Sequence, residues 1–194
     1  MLQADGSYVL TDLLRGRFGT EWAMGSHATM DSLVLLDRNL LQAGQASLNS
    51  IGLEGRYKPV TFGALIDATD YQAFTYRGAN LECLAPAFLN GSRAASGDWS
   101  LSWLRRTRVG GEWRDYIDAP LGEASEAYEV EIYTSAAYTT LKRTITGLST
   151  ASATYTSAQQ VADFGSNQAT LYVKVYQLSA NVGRGYPLTT SITR

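Results

Sequence analysis

This chain contains very few cysteine and histidine residues, the types that form disulfides and bind zinc. Its 194 residues include one cysteine, Cys83, and one histidine, His27. One cysteine cannot close an intrachain disulfide or join other cysteines around zinc, and one histidine leaves no pair to bind a metal. The sequence therefore predicts no metal site and no cofactor.

The candidate catalytic side chains also lack the neighbours that catalysis requires. His27 lacks the serine and aspartate context of a catalytic base, so we expect a structural or surface role for it. Leu81 and Leu84 flank Cys83, which favours a small buried thiol over a nucleophile. Glu123 and Glu126 lie in a charged loop-to-strand turn, where solvent exposure is a better account than glycoside hydrolysis. We predict no catalytic residue, and the chain is expected not to be an enzyme.

Charge and long apolar runs are also limited. Charged residues make up 18% of the chain, below the roughly 25% of ordinary soluble domains. A net charge of −2 gives no electrostatic basis for nucleic acid as the main ligand. Apolar runs are too short for a membrane span, and the N-terminus has no basic region of a secretory signal. We expect no membrane insertion, and we expect the protein to be assembled in the cytoplasm.

Tyrosine, glycine, serine and threonine fill the composition instead. Twelve tyrosines and eighteen glycines accompany a hydrophobic fraction of 45%, which is typical of β-rich proteins with many turns. We therefore predict an all-β fold. Alternation of apolar and polar residues predicts seven strands in the second half of the chain, at about residues 87–93, 98–107, 127–134, 140–146, 152–156, 169–178 and 187–193.

The chain is predicted to divide near Asn80 to Pro86, where Pro86 favours an extended entry into the second unit. Residues 1–82 are interpreted as a small, mostly β unit, and residues 83–194 as an antiparallel β-sandwich. Candidate strands of the first unit include 50–60, 61–67 and 70–77. A unit of this size buries a modest core, so we expect it to pack on the sandwich or on another chain.

Two groups of motifs resemble one known family. Leu13-Leu-Arg-Gly-Arg-Phe-Gly-Thr-Glu-Trp-Ala23, His27 and Leu33-Val-Leu-Leu-Asp37 resemble the C-terminal region of the tail hub, or host-specificity, proteins of long-tailed bacteriophages and gene transfer agents. Ser102-Trp-Leu-Arg-Arg-Thr-Arg108, Tyr128 to Ile132 and Gly183-Arg-Gly185 resemble the fibronectin type III-like module that comes next in that family. Leu171 stands where such modules usually carry a tyrosine, and Tyr172 is expected on the opposite face.

The resemblance implies a structural component of a phage tail tip or baseplate. Such a component would bind the tail hub, support neighbouring tip or fibre proteins, stand in three copies around the tail axis, and belong to the virion. The chain lacks the family's hub and barrel domains, so it is expected to be a separate tip subunit or a piece of a hub. The alternative is a tail adhesin for a host receptor or surface glycan.

Interface residues are predicted in three places. Arg15 and Arg17 flank Gly16 in a tight turn, from which arginine forks can clamp a carboxylate or carbonyl groups of a neighbouring subunit. A turn with solvated arginines is the alternative. Arg106 and Arg108 are expected on one face of a strand, with Arg105 opposite, facing either an acidic partner or solvent.

Aromatic residues form the third group. Trp113 and Tyr116, together with Trp99, are candidates for an exposed aromatic patch that contacts sugars or proteins. Core packing is the alternative for at least one of them. Trp103 is expected in the sandwich core.

Overall fold

The computed structural model of the chain describes residues 3–7, 9–11, 24–25, 28, 30, 47–60, 63–112 and 115–194. The chain divides into two units, Met1–Asn80 and Leu81–Arg194. The hub-like motif residues 13–23, His27 and 33–37 lie outside the described residues.

The described part of the first unit contains an antiparallel hairpin. Strand β1 (Glu54–Tyr57) pairs with β2 (Gln72–Thr75), in a register that sets Glu54 opposite Thr75. Both strands fall inside predicted segments. The strand predicted over 61–67 is wrong for its described residues, because Gly63 has a φ of 84° and a 3-10 helix begins at Ile66. A left-handed glycine and a helical turn both break the extended backbone that a strand needs.

The second unit contains two antiparallel sheets, both built from strands near the predicted positions. The smaller sheet has the order β3-β4-β7, and the larger sheet has the order β10-β8-β5-β6, with β9 pairing with β8. The strands are β3 (Ala87–Arg93), β4 (Trp99–Leu104), β5 (Tyr128–Tyr133), β6 (Leu141–Leu148), β7 (Ser152–Tyr155), β8 (Thr170–Ser179), β9 (Gly183–Arg184) and β10 (Leu188–Thr193).

The core of this unit lies between the two sheets. Along β4 and β8 every second side chain is buried, as the alternation predicts. Trp103 has 4% of its surface exposed and meets the Tyr128 ring edge-on, with 5.3 Å between ring centroids. Burying one such large side chain contributes about 1.5–3 kcal/mol. The expectation that Trp103 belongs to the core is confirmed.

One helix interrupts the sandwich strands and was not predicted. Helix α1 (Ser157–Phe164) begins with a capping box, in which Thr156 and Gln159 exchange side-chain and backbone hydrogen bonds. It ends at Gly165, whose φ of 78° supplies the left-handed C-cap. The helix therefore fills the connection between β7 and β8.

This arrangement defines the chain as all-β with a fibronectin type III-like sandwich, since two antiparallel sheets of this strand order share one core. Leu171 is buried at 1% exposure and Tyr172 lies on the outer face, as predicted. Within the described ranges, no helix has the length and apolar character needed to cross a membrane.

Candidate functional site

The outer face of the larger sheet carries an ordered array of tyrosines and charges. Strand pairing places Thr189, Lys174, Glu131 and Thr144 in one row across β10, β8, β5 and β6. Residues directly opposite each other on neighbouring strands share a face and lie within contact distance. The adjacent row contains Ser191, Tyr172, Tyr133 and Leu141.

We call the outer surface formed by Tyr133, Tyr138, Tyr172, Tyr176 and Lys174 the tyrosine face. The rings of Tyr133 and Tyr138 meet edge-on with 5.7 Å between centroids, and those of Tyr138 and Tyr172 with 6.3 Å. Each edge-to-face pair of this kind contributes about 0.5–1.5 kcal/mol beyond burial. The rings therefore hold one another in place.

A buried carboxylate anchors one side of this surface. Glu131 is 5% exposed and accepts hydrogen bonds from Tyr133 (2.6 Å), Tyr176 (3.1 Å) and Arg184 (2.7 Å). The Arg184 guanidinium also binds Glu129 at 2.6 Å and lies 4.7 Å from the centre of the Tyr176 ring. Such charge-assisted bonds compensate the cost of burying the carboxylate.

The ionisation of this network depends on its contacts. Burial alone would raise the pKa of Glu131, but the hydrogen bonds from Tyr133, Arg184 and Tyr176 outweigh it and lower that pKa. Burial, and then the hydrogen bond to Glu131, raise the pKa of the Tyr133 hydroxyl. At neutral pH Glu131 is therefore a carboxylate and Tyr133 a neutral donor.

Lys174 is the remaining charge of the tyrosine face. Its ammonium nitrogen lies 4.9 Å from the centre of the Tyr133 ring and 5.7 Å from that of Tyr138. Lys174 stands opposite Glu131 in the register, yet the oxygens of Glu131 are already occupied by three other donors. Within the described residues the Lys174 ammonium makes no ion pair and no hydrogen bond.

Tyr138 reaches this surface through an uncommon backbone conformation. Its φ of 51° is left-handed, and its N–H donates to the Ser135 carbonyl at 3.1 Å in the turn between β5 and β6. A bulky residue in this region costs about 1–2 kcal/mol. The ring contacts with Tyr133 and Tyr172 offset that cost and fix the ring beside Lys174.

The predicted arginines lie in a different place, beyond the end of β4. The expectation that Arg106 and Arg108 share a strand face is wrong, since β4 ends at Leu104 and the residues after it are irregular. Arg105 binds Asp118 at 2.7 Å and the Pro120 carbonyl at 3.2 Å.

The other two arginines also have partners within the chain. Arg108 binds Glu123 at 2.9 Å and the Gly122 carbonyl at 3.4 Å, and Arg106 reaches the Ala85 carbonyl at 3.5 Å. Arg105 and Arg108 therefore tie the start of the long connection between β4 and β5 to its later part.

Tyr116, one of the predicted interface residues, lies at the tip of this connection. Tyr116 is fully exposed with a φ of 60°, and Ile117 is 66% exposed. An open concavity of about 470 Å³ lies beside them, lined by residues 110–112 and 117–120. Trp113, Arg15 and Arg17 lie outside the described residues, so their roles stay predictions. Trp99 has no exposed surface and does not contribute to an aromatic patch.

Glu123 corrects the expectation of a solvent-exposed carboxylate pair. Its side chain is 4% exposed because Arg108 pairs with it. Glu126 accepts a hydrogen bond from the Tyr128 hydroxyl at 2.7 Å. The expectation of a buried thiol is confirmed, since Cys83 is 2% exposed, and burial followed by the charge of Glu123 raises its pKa to about 12. Glu123 and Glu126 therefore both bind other side chains of the same unit.

The tyrosine face was missed by sequence reasoning although its signal was present. The segments 128–133 and 170–178 place Glu, Glu and Tyr, then Tyr, Lys and Tyr, at the outward positions of a period of two. What the sequence does not show is that β5 and β8 are neighbours. No group of three or more His, Cys, Asp or Glu side chains suited to a metal occurs in the described ranges.

No protein-family model matches the chain, and no curated protein matches its sequence. Its structure is distantly similar to fibronectin type III domains. The domain of human fibronectin type III domain containing protein 3 is 13% identical, with 58% of this chain and 85% of that chain covered and a TM-score of 0.38.

Two further structures are similar at the same level. Domains d3–d4 of the rat CD45 extracellular region are 12% identical, with 97% and 82% covered and a TM-score of 0.38. The FN5 domain of Drosophila Lar is 13% identical, with 57% and 95% covered and a TM-score of 0.35. The description of the sandwich therefore rests on its own strand order and core.

Proposed function

We propose that this chain is a non-enzymatic structural component of a bacteriophage tail tip or baseplate. It binds the tail hub and supports neighbouring tip or fibre proteins, in three copies around the tail axis of the virion. The proposal is supported by the hub-like motif at Leu13–Ala23, followed in order by a sandwich that begins after Pro86.

One structural observation carries the proposal. None of the described residues of the unit Met1–Asn80 is buried, whereas Leu65 is 78% exposed, Ile66 63% and Phe74 55%. A two-stranded hairpin is at best marginally stable in water, and a protein partner that covers these apolar side chains would stabilise it. A component that completes its first unit against a larger assembly fits this pattern.

The loop between β4 and β5 supplies a second contact. The side chains of Tyr116 and Ile117 project into solvent. Arg105 and Arg108 fix the loop by binding Asp118 and Glu123. An exposed aromatic on a fixed support loses little entropy on binding, which is the usual property of an interface anchor.

Light scattering of the purified chain, alone and mixed with the hub protein of the same phage, tests the proposal. We expect a stable complex that Ile66→Asp weakens at least tenfold. Val161→Asp is the matched control, because Val161 is an exposed β-branched residue (49%) on α1 of the sandwich. Absence of a complex with the hub would contradict the proposal, and equal weakening by both variants would show that Met1–Asn80 is not the docking unit.

The tyrosine face favours a second candidate function, a tail adhesin for a host receptor or surface glycan. The Lys174 ammonium has no acceptor among the described residues and lies near two aromatic rings, which is an arrangement suited to recognition. Binding of the isolated chain to host cells tests this candidate. A purely structural tip protein has affinity for tail subunits and none for cells.

A further inference from the structure

We propose that the tyrosine face is a binding site for an acidic saccharide, in which Lys174 receives the sugar carboxylate and Tyr138 and Tyr172 contact the sugar rings. This inference rests on the second candidate function and gives it a site. The smaller sheet and the loop that carries Tyr116 have no part in this site.

The charge of the ligand is set by the state of Lys174. The charged side chains beside it have partners, since Arg184 binds both Glu129 and Glu131. An ammonium group carries three donors, and those of Lys174 have no protein acceptor among the described residues. A carboxylate is the group that completes this environment.

The size of the surface favours a saccharide over a protein partner. Neighbouring strands lie about 4.8 Å apart and residues rise about 3.4 Å along each strand. The rows from β10 to β6, and from Tyr172 to Tyr176, therefore span about 14 Å in each direction. This gives about 200 Å², well below the roughly 800 Å² that each partner contributes to a stable protein interface.

The remaining groups suit a sugar as well. Thr189 and Ser191 lie beside Lys174 and Tyr172 on β10, with both residues exposed on the same face. Their hydroxyls donate and accept hydrogen bonds, as sugar hydroxyls do. The aromatic part is already in position, because Tyr138 is held by Tyr133 and Tyr172. A preformed site of this kind spends little binding energy on ordering.

Titration calorimetry with the full chain near neutral pH tests the proposal. The probes are an oligogalacturonic acid, its methyl ester of equal length, and an oligoglutamate peptide of similar charge. We expect binding of the acid that weakens with salt, and at least tenfold weaker binding of both the ester and the peptide. Equal binding of acid and ester, tighter or equal binding of the peptide, or no binding of any probe would each overturn the proposal.

Variants locate the site. Lys174→Met and Tyr172→Ala are each expected to weaken binding of the acid at least tenfold. Lys142→Met is the matched control, because Lys142 lies over a single ring, Phe164, at 5.7 Å, and we expect no change. Equal loss in Lys142→Met and Lys174→Met would overturn the assignment. The difference between acid and ester in the unaltered chain decides the question even if a variant does not fold.

The two proposals fail separately. Lys174→Met is expected to keep the complex with the hub protein, since the apolar residues that carry the docking proposal lie in Met1–Asn80. If Lys174→Met loses saccharide binding and retains hub binding, the result supports both proposals. A chain that binds the hub but no probe overturns the saccharide site and leaves the structural function in place.

Discussion

Gly183 and Gly185 lie two residues apart, and the chain requires each of them for a different reason. Gly183 has a φ of 78° and open space around it, so its role is conformational. A side chain at Gly185 would meet the carbonyl oxygen and Cβ of Cys83 far inside van der Waals contact. This close approach lets the N–H of Tyr186 donate to the Cys83 carbonyl at 2.9 Å.

The two glycines predict two different costs. Gly183→Ala is expected to lower the free energy of unfolding by about 1 kcal/mol, the cost of a left-handed alanine. Gly185→Ala is expected to cost more, about 2–3 kcal/mol, because backbone must move to accommodate the methyl group. Urea unfolding measures both, and reaction of the Cys83 thiol with a disulfide reagent is expected to speed up only in Gly185→Ala. Equal costs would contradict the close approach.

Glu131 makes the stability of the sandwich depend on pH. Its pKa in the folded chain lies below its ordinary value of 4.5, so the unfolded chain binds the proton more tightly. The stability that ionised Glu131 contributes is therefore complete above pH 4.5 and is lost as pH falls through the lower folded pKa. Asp163, whose pKa is also lowered by its hydrogen bonds to Arg143 and Tyr155 despite burial, acts in the same direction.

Replacing Glu131 by glutamine tests this linkage. Glu131→Gln is expected to lower the free energy of unfolding by about 1–3 kcal/mol near neutral pH, since charge-assisted hydrogen bonds are lost. It is also expected to flatten the decline in stability below the ordinary carboxyl pKa of 4.5. Glu129→Gln is the comparison, because Glu129 is more exposed and binds Arg184 alone. An unchanged pH profile in Glu131→Gln would refute the role of this carboxylate.

The burial of single residues was easier to predict than their pairing. The burial of Trp103 and Cys83 is expected from apolar neighbours and strand alternation, and both predictions were confirmed. The pairing of Arg108 with Glu123 was not predicted, because the two residues are separated by a loop whose path the sequence does not determine. Contacts within one strand are readable from a period of two, whereas contacts across a loop are not.

At the scale of elements, α1 holds the smaller sheet and the start of β8 together through one buried side chain. Gln160 has no exposed surface, donates to the carbonyls of Gly97 (2.9 Å) and Tyr155 (3.2 Å), and accepts from the N–H of Gln168 (3.0 Å). A buried amide that satisfies three backbone groups fixes the position of the helix.

Removing that amide leaves backbone groups without partners. Gln160→Leu is expected to lower the free energy of unfolding by about 2–4 kcal/mol, because each buried orphan costs about 1–3 kcal/mol. Gln159→Leu, which removes only one half of the capping box, is expected to cost about 1 kcal/mol. Thermal and urea unfolding compare the two. A cost for Gln160→Leu no larger than that for Gln159→Leu would contradict the structural assignment.

The strands of the sandwich were predictable and the helix was not, for a physical reason. Strands such as Trp99–Leu104 and Thr170–Ser179 alternate in burial over their whole length, so the sequence shows which face is buried. The eight residues of α1 are too few for a helical period to stand out. Its recognisable signals are Thr156, Gln159 and Gly165, which mark the two ends of the helix.

At the scale of the whole molecule, burial is distributed unevenly between the two units. All residues of the hydrophobic core cluster belong to Leu81–Arg194. The described residues of Met1–Asn80 include none that is buried. Free energies of local opening rise with buried apolar contacts, so the two units are expected to open independently in the isolated chain.

Hydrogen exchange of the isolated chain measures this difference. The slowest amides are expected in β4, β5 and β8, and amides of β1 and β2 are expected to exchange many times faster. Addition of the hub protein is expected to slow exchange in β1 and β2 selectively. Protection of β1 and β2 equal to that of β5 in the isolated chain would show that the first unit is stable without a partner.

The edges of the two sheets bear on how the molecule behaves when crowded. The outer strand β6 carries Lys142 and Arg143 and bends at Gly147, whose φ is 72°. The outer strand β3 breaks its register between Ala87 and Asn90, where Phe88 has a φ of 51°. Charges and irregular backbone at an edge prevent another strand from adding to it. These two edges are therefore poor templates for a strand of another copy, even where many copies stand side by side.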